Sequence, residues 1–388
     1  MPQAMGSNSK IGYEVETSFG AVNATPALKT LYFLQESIGE KINQMASQVI
    51  RGNRNPTKPV RGQRDVSGSF STELAPGLGT LLKAALGTST PSGEVAPYTH
   101  TIKVAALPSL MFEKCFTDLG YYYLFFGCKV SRMTIQAKPE GFQNISFDLI
   151  GAYQAQALKY QTQSANFTLG LYATGAGGSS GIIKGDLDGG ITGTLIILGA
   201  SGDYVDDEAV TDSGTGAAVA DGTLGTASID GTYTDPGHAP FDGMGIYVMQ
   251  EGGSDIAYVQ SVDVTLDNNV AGDAYVIGGG GIRRYVPEGK VAVSGTLRAL
   301  FESKALYDKA MRRTETSLKC TWRHGTGAGT AGNESLELFL PEIYLSPETP
   351  LIDGPNGLYY NGPFNAFYDN SDQASAIQII LKNAEATI

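Results

Sequence analysis

Short stretches in which apolar and polar residues alternate recur along the 388-residue chain, separated by glycine, proline, asparagine and aspartate. Val66-Ser67-Gly68-Ser69-Phe70-Ser71 has the period of two that sets one side of a strand on a core and the other in water. Runs at Leu110–Phe116, Tyr121–Phe126, Val130–Ile135 and Ile145–Ile150 predict further strands. Gly127 and Pro139-Glu140-Gly141 mark turns between them. Leu31-Tyr32-Phe33-Leu34 predicts a short buried strand. Leu81–Leu86 reads as a short helix, with Gly87 where a C-terminal cap belongs. Ahead of these, residues 1–30 read as an extended arm that cannot form a core alone and is ordered by docking elsewhere, with Glu14, Glu16 and Phe19 as its contact residues.

From about Asn166 to Pro240 glycine, alanine, serine, threonine and aspartate dominate, and Lys184 is the one lysine or arginine. Strands are expected there at Ile191–Leu198 and Ala227–Tyr233. From Phe241 the earlier pattern returns. Val293-Ser294-Gly295-Thr296-Leu297 echoes Val66–Phe70, and a helix-like segment follows each (Ala305–Met311 and Leu81–Leu86). Gln35-Glu36 after Tyr32-Phe33-Leu34 matches Gln250-Glu251 after Tyr247-Val248-Met249. These echoes predict a mainly β protein made of two duplicated β-sandwich units, each with a short helix. The expected division is an arm at 1–30, a first unit at 31–165, a small Gly-rich β insert or decoration loop at 166–240, and a second unit at 241–388.

Composition agrees: 50 glycines, 20 tyrosines and 15 phenylalanines with only 17% charged residues favour strands and turns. The net charge of −12 argues against tight nucleic-acid binding, which needs clustered cations, and is compatible with solubility and with repulsion of DNA. The exception is Arg51, Arg54, Lys58, Arg61 and Arg64, five cations with no acid among them in a loop rich in glycine, asparagine and proline. No aromatic is interleaved for base stacking, so docking on an acidic neighbour is the expectation. Three cysteines, Cys115, Cys128 and Cys320, fit buried thiols better than a disulfide framework. The N-terminus is polar, and no window approaches the roughly 20 apolar residues of a membrane span.

Candidate chemistry is sparse. Gly325–Gly332 lacks the strand-then-helix context of a nucleotide loop and reads as a hairpin turn. Asp186-Leu187-Asp188-Gly189 and the acids at Asp203, Asp206, Asp207 and Glu208 lack the spacing of a calcium loop. His100, His238 and His324 are scattered, and no Gly-x-Ser-x-Gly elbow is present. No enzyme, cofactor or metal site is expected.

The ordered set Glu16-Thr17-Ser18-Phe19-Gly20, Leu34-Gln35-Glu36-Ser37, Asp65-Val66-Ser67-Gly68 and Leu81–Gly87 resembles the N-terminal region of siphophage tail tube (major tail) proteins. Val262–Asn269, Val286-Pro287-Glu288-Gly289 and Val293–Leu297 are similar to that family's second half. The resemblance spans residues 10–165 and 241–388, outside the insert. It implies a structural virion protein whose inner sheets join around a lumen, in rings that stack through the N-terminal arm and a long loop. Genomic DNA passes through that lumen without specific binding. Here the basic loop Arg51–Arg64 is the expected inter-ring contact. Partners would be copies of the chain, a tape measure protein, and terminator and distal tail proteins, in a tail assembled in the host cytoplasm. Duplication favours a ring of three chains with pseudo-sixfold symmetry over six chains. The competing expectation is a receptor-binding or decoration protein acting through the insert.

Overall fold

The computed structural model describes residues 3–255, 259–352, 354–368 and 374–388. Among them strands dominate, with two short α-helices, Gly79–Leu86 and Ala305–Arg312. The first helix is buried along Leu81, Leu82, Ala84, Ala85 and Leu86, and stops at Gly87, whose N–H closes on the Lys83 carbonyl at φ +120°.

The framework is one long antiparallel sheet. Its strands run in the order Gly39–Met45, Val60–Glu73, Asn144–Gly151, the second half of Tyr121–Ala137, Val259–Asp267, Ala292–Leu300, Tyr359–Phe367 and the end of Ser335–Leu345. Its first four strands come from the N-terminal half and its last four from the C-terminal half. They meet where Arg132–Ala137 pairs with Asp267–Val262.

A second layer covers one face of each set of four. Over the first set, Ser9–Val15 pairs Leu110–Phe116, which pairs the beginning of Tyr121–Ala137, which pairs the beginning of Tyr153–Ala165. Over the second set, Ile246–Glu251 pairs Thr316–Arg323, which pairs Ser335–Leu345, which pairs Gln378–Asn383. The order of pairings is the same in both sets and both layers. A hairpin, Gly87–Ser92 with Tyr98–Val104, belongs to the first set but adds its second strand to Gln378–Asn383 of the second. One apolar core, including Phe70, Phe112, Phe147, Trp322, Leu338 and Phe364, runs through both.

The echo of Val66–Phe70 in Val293–Leu297 has a steric basis. Both segments take the second place in their set, and a Cβ on Gly68 or Gly295 would strike the neighbouring backbone, at the Ser37 carbonyl oxygen just ahead of Gly39–Met45 and at the Asp263 carbonyl oxygen of Val259–Asp267. Such close backbone approach admits only glycine.

Five expectations change. Leu31–Leu34 is not a strand; Leu31 is buried, but Tyr32 and Leu34 are exposed as the chain crosses from the Lys29–Thr30 strand to the long sheet. Gly127 is no turn: it lies inside Tyr121–Ala137 at φ +64°, where the strand passes from one layer to the other. Gln35-Glu36 and Gln250-Glu251 are not counterparts, since the first pair joins the long sheet and the second the covering layer. Ala227–Tyr233 forms no strand because its polar groups turn to Glu113, which accepts from Ser228 Oγ, the Ile229 amide and Tyr233 Oη at 2.6, 2.9 and 2.5 Å. Within residues 1–30, Ser9–Val15 is built into the subunit, with Ile11 and Tyr13 in the core.

The insert has its own core of Leu158, Tyr160, Phe167, Ile183, Leu195, Ile197, Tyr204 and Val210. It grows out of Tyr153–Ala165, whose residues from Gln156 on pair with Gly193–Ser201 and Ala217–Ala220.

Candidate assembly surfaces

Strict alternation splits the long sheet into an apolar face and a polar one. Ile145, Phe147 and Leu149 are buried while Ser146 and Asp148 face away; Val262, Val264 and Leu266 are buried while Asp263, Thr265 and Asp267 face away. Neighbouring strands add Ser67, Ser69 and Ser71, Arg132, Thr134 and Gln136, and Ser294, Thr296 and Arg298 to that second face. Hydroxyls and amides dominate, and charges of both signs are interspersed. At the junction of the two sets Arg132 reaches Asp267 at 2.9 Å and Asp148 at 3.9 Å, and the Thr134 and Thr265 hydroxyls meet at 3.2 Å. Burial pushes the Asp267 carboxyl up, but the Asn269 amide and the Arg132 guanidinium outweigh it and hold it below the usual carboxylate range.

The sheet ends in two edges that no described strand covers. One is Gly39–Met45, paired only with Val60–Glu73. The other is the end of Ser335–Leu345 and residues 346–352 beyond it, where Leu351 is 80% and Ile352 83% exposed. Uncovered strand edges are templates for pairing with another chain.

The five cations of the basic segment divide. Arg51, Arg54 and Lys58 are exposed on the loop after Gly39–Met45, next to exposed Val49 and Ile50, and Arg61 is exposed at the start of Val60–Glu73. Arg64 instead turns inward to Glu40 at 2.7 Å.

Glu14, Glu16 and Phe19 are engaged within the subunit. Glu14 accepts from the Ala27 amide at 2.9 Å, and the Phe19 ring lies 5.0 Å from that of Tyr285. Glu16 is buried and accepts from the amides of Gly20 and Gly127 and from Ser109 Oγ at 2.8, 2.7 and 2.6 Å. Burial pushes its carboxyl up to about 7 against the pull of these donors.

Sequence reading gave no role to the loop 268–291, which joins two strands of the second set but lies on the first. Its Arg283 is buried and donates to the carbonyls of Gly272, Val66 and Gly151 at 2.6, 3.1 and 2.7 Å, and pairs with Asp65. Asn268 donates to the Ala85 and Val130 carbonyls, both at 2.9 Å, and Glu288 meets Lys129 at 3.3 Å. An arginine among glycines gives no sequence sign that it will be buried against backbone carbonyls.

Gly325–Gly332 lies between the strands Thr316–Arg323 and Ser335–Leu345, as expected. The insert's acids brace its own turns: Glu208 accepts from the Gly177 and Val205 amides, and Asp206 from that of Gly222. The histidines contact separate partners, His100 the Glu385 carbonyl, His238 Glu73 and His324 Glu334. The cysteines are buried, and burial pushes Cys320 up to about 12. Among the described residues no group of three or more His, Cys, Asp and Glu could hold a metal ion, and no helix is long and apolar enough to cross a membrane.

A family model described as phage tail tube protein matches residues 6–366. No curated protein matches the chain.

Proposed function

We propose, from the premise that the chain belongs to the phage tail tube protein family, that copies close through the two open sheet edges into rings, and that these rings stack into the conduit for genomic DNA. The observation that carries this is the junction inside the chain. Two four-stranded sets with the same pairing order already join edge to edge there, first set to second, and the free edges at the far ends are the same two kinds of edge. Adding another copy repeats the junction, and head-to-tail repetition gives a ring when the rotation closes.

The units proposed are residues 31–165 and 241–388, the first completed by Ser9–Val15, with 166–240 as an outward decoration that springs from Gln156 onward in the covering layer. Strand spacing favours three chains. Eight strands per chain at about 4.8 Å, tilted by roughly 40°, give three chains a backbone diameter of about 45–50 Å and a clear width of about 35–40 Å. A duplex roughly 20 Å across passes with a water layer to spare. Two chains would leave almost no clearance, and six would leave a bore several times wider than the duplex.

The polar sheet face would line that bore. Its cations are interspersed with carboxylates, so the phosphate backbone meets no uncompensated positive strip, and hydroxyls and amides keep the wall wet. The exposed cations Arg51, Arg54, Lys58 and Arg61 would contact an acidic surface of the next ring. Terminator, distal tail and tape measure proteins would meet the same surfaces at the tube ends and in the bore, in a virion tail assembled in the host cytoplasm.

Negative-stain electron microscopy of the concentrated protein tests the proposal. Rings or hollow tubes with three-fold symmetry are expected. Dispersed particles at every salt and concentration, with an initiator complex supplied, would overturn it and leave the insert as the functional part of a decoration or receptor-binding protein.

A further inference from the structure

We infer that residues Ser346–Leu351, which form no strand in the single chain, become one by pairing with Glu36–Lys41 of a second copy, in a register that the junction inside the chain dictates. The inference rests on the ring reading above and names the segments and the pairing.

The register follows from matching the two sets strand by strand. Glu36 lies opposite Phe70 and Lys41 opposite Asp65, while Val262 lies opposite Leu297 and Asp267 opposite Ala292. Phe70 and Leu297 are counterparts in the repeated Val-Ser-Gly segment, so Glu36–Lys41 takes the place of Val262–Asp267. On the other side, Phe147 pairs Phe70 and Gly362 pairs Leu297, so the next residues, Asp148 and Pro363, are counterparts. Arg132 lies opposite Asp148, and the Ser346 amide donates to the Pro363 carbonyl at 2.6 Å. Ser346–Leu351 therefore takes the place of Arg132–Ala137. The strand Tyr121–Ala137 carries a register shift at this level that the second set lacks, which is why counting from Tyr121 alone would misplace the match by one residue.

The junction pairs Arg132 with Asp267, Thr134 with Thr265, Gln136 with Asp263, and their neighbours in between. Carried over, Ser346 faces Lys41, Glu348 faces Gly39 and Pro350 faces Ser37 on the polar side. On the core side Pro347 faces Glu40, Thr349 faces Ile38 and Leu351 faces Glu36.

Three independent features fit this register and no shift by one. First, Ile343 and Leu345 are buried, so the alternation continues inward through Pro347, Thr349 and Leu351, all exposed in the single chain for want of a cover. A slip of one residue would turn Leu351 out of the core face. Second, the Ser346 amide points to Tyr359–Phe367, so the backbone groups of Thr349 and Leu351 point out to the free edge. The Ser37 amide points to Ser69, so those of Glu36, Ile38 and Glu40 also point outward. The outward pairs then coincide; Pro350, which has no N–H, sits where none is needed by the neighbour, while Pro347, outward opposite Glu40, accepts there but cannot donate, so the ladder lacks one bond at that end. Third, Glu348 comes diagonally beside Lys41 on the polar side, an opposite-charge cross-strand pair.

In the single chain the edge is occupied by its own side chains. The Ile38 amide donates to Glu36 Oε2 at 2.9 Å, and Lys114 Nζ, itself 2.7 Å from Glu36, donates to the Ile38 carbonyl at 3.2 Å. Thr349 of the second copy would replace both contacts.

The test is a pair of cysteines in the full chain, Lys41→Cys with Ser346→Cys. These face each other at a non-hydrogen-bonded site, where Cα atoms lie roughly 4.5 Å apart, within the span of a disulfide. Mild oxidation of assembled material is expected to give dimer and trimer on a non-reducing gel. The control Lys41→Cys with Pro350→Cys, four residues out of register, is expected to stay monomeric. Tubes in which the control cross-links, or in which the first pair does not, overturn the register and leave the ring reading standing. Absence of rings from the wild-type protein overturns both. Should the variants fail to fold, hydrogen exchange on the wild type decides. The Thr349 and Leu351 amides should exchange roughly 100-fold or more slowly in tubes than in subunits, and equal rates overturn the inference.

Discussion

Replacing Arg283 by methionine should loosen the hold of the 268–291 loop of the second half on the first half. Methionine keeps the apolar stem as far as the position of Nε but removes the guanidinium end and every donor. Two carbonyls, of Val66 and Gly151, lie at buried sites and lose their partner, and that of Gly272 loses its own at a half-buried one. Each stranded buried acceptor costs about 1–3 kcal/mol. The Asp65 carboxylate loses its ion pair, but its side chain is 39% exposed and water takes over much of that role. Allowing for relaxation, the loss should be about 3–5 kcal/mol, the range for breaking a buried charged network. For a chain of this length that corresponds to a Tm lower by about 4–6 °C. Urea denaturation followed by tryptophan fluorescence is the assay, since Trp322 is buried in the core shared by both sets. Arg284→Met, at an exposed neighbour, is the control and should change stability by less than about 0.5 kcal/mol. Equal effects of the two replacements would refute the view that Arg283 fastens the 268–291 loop.

Three further outcomes are expected. The Glu16 carboxyl, pushed up to about 7 from 4.5, binds its proton more tightly folded than unfolded, so its contribution is fully present below about pH 4.5 and is lost as pH rises to about 7; Glu16→Gln should flatten the fall in urea midpoint between pH 5 and 7.5, and an unchanged difference would contradict this. Gly295→Ala should cost about 1–3 kcal/mol by driving a methyl into the Asp263 carbonyl and the Phe364 ring, while Ser294→Ala beside it should cost almost nothing in the same denaturation experiment. Arg54→Glu with Arg61→Glu should leave rings intact but shorten tubes at ordinary salt, and tubes of full length in micrographs would count against a stacking role for these exposed cations.

Legibility in the sequence followed how completely each element is satisfied inside one chain. Leu110–Phe116 and Asn144–Gly151 have partners on both sides and a clean alternation, and both were readable. Gly39–Met45 was not, because Gly-Glu-Lys-Ile-Asn-Gln-Met carries one strongly apolar inward residue and is exposed over most of its length. Its strand character comes from the register of Val60–Glu73 alone. The basic segment was legible as charge, but not its division: Arg64 differs from Arg61 only in falling where the strand turns it to Glu40. The insert was placed from Asn166 by composition, whereas the structure leaves the common framework ten residues earlier, inside a strand whose two ends serve different sheets. No local pattern marks a change of partner along an unbroken strand.

The hairpin of Gly87–Ser92 and Tyr98–Val104 reaches from the first set to the covering layer of the second, and among the described residues the second set has nothing like it, since Ala305–Arg312 leads almost directly into Thr316–Arg323. In a ring of three chains the six junctions are therefore of two kinds. Three are tied by the polypeptide and strapped on the outside, and three rely on whatever the free edges achieve by themselves. Such a ring has three places to open and three that behave as fixed struts. Assembly then brings together half as many independent bodies as the apparent symmetry suggests. In such a ring the two kinds of junction are also free to differ in strength, one fixed by the chain and the other open to reversal.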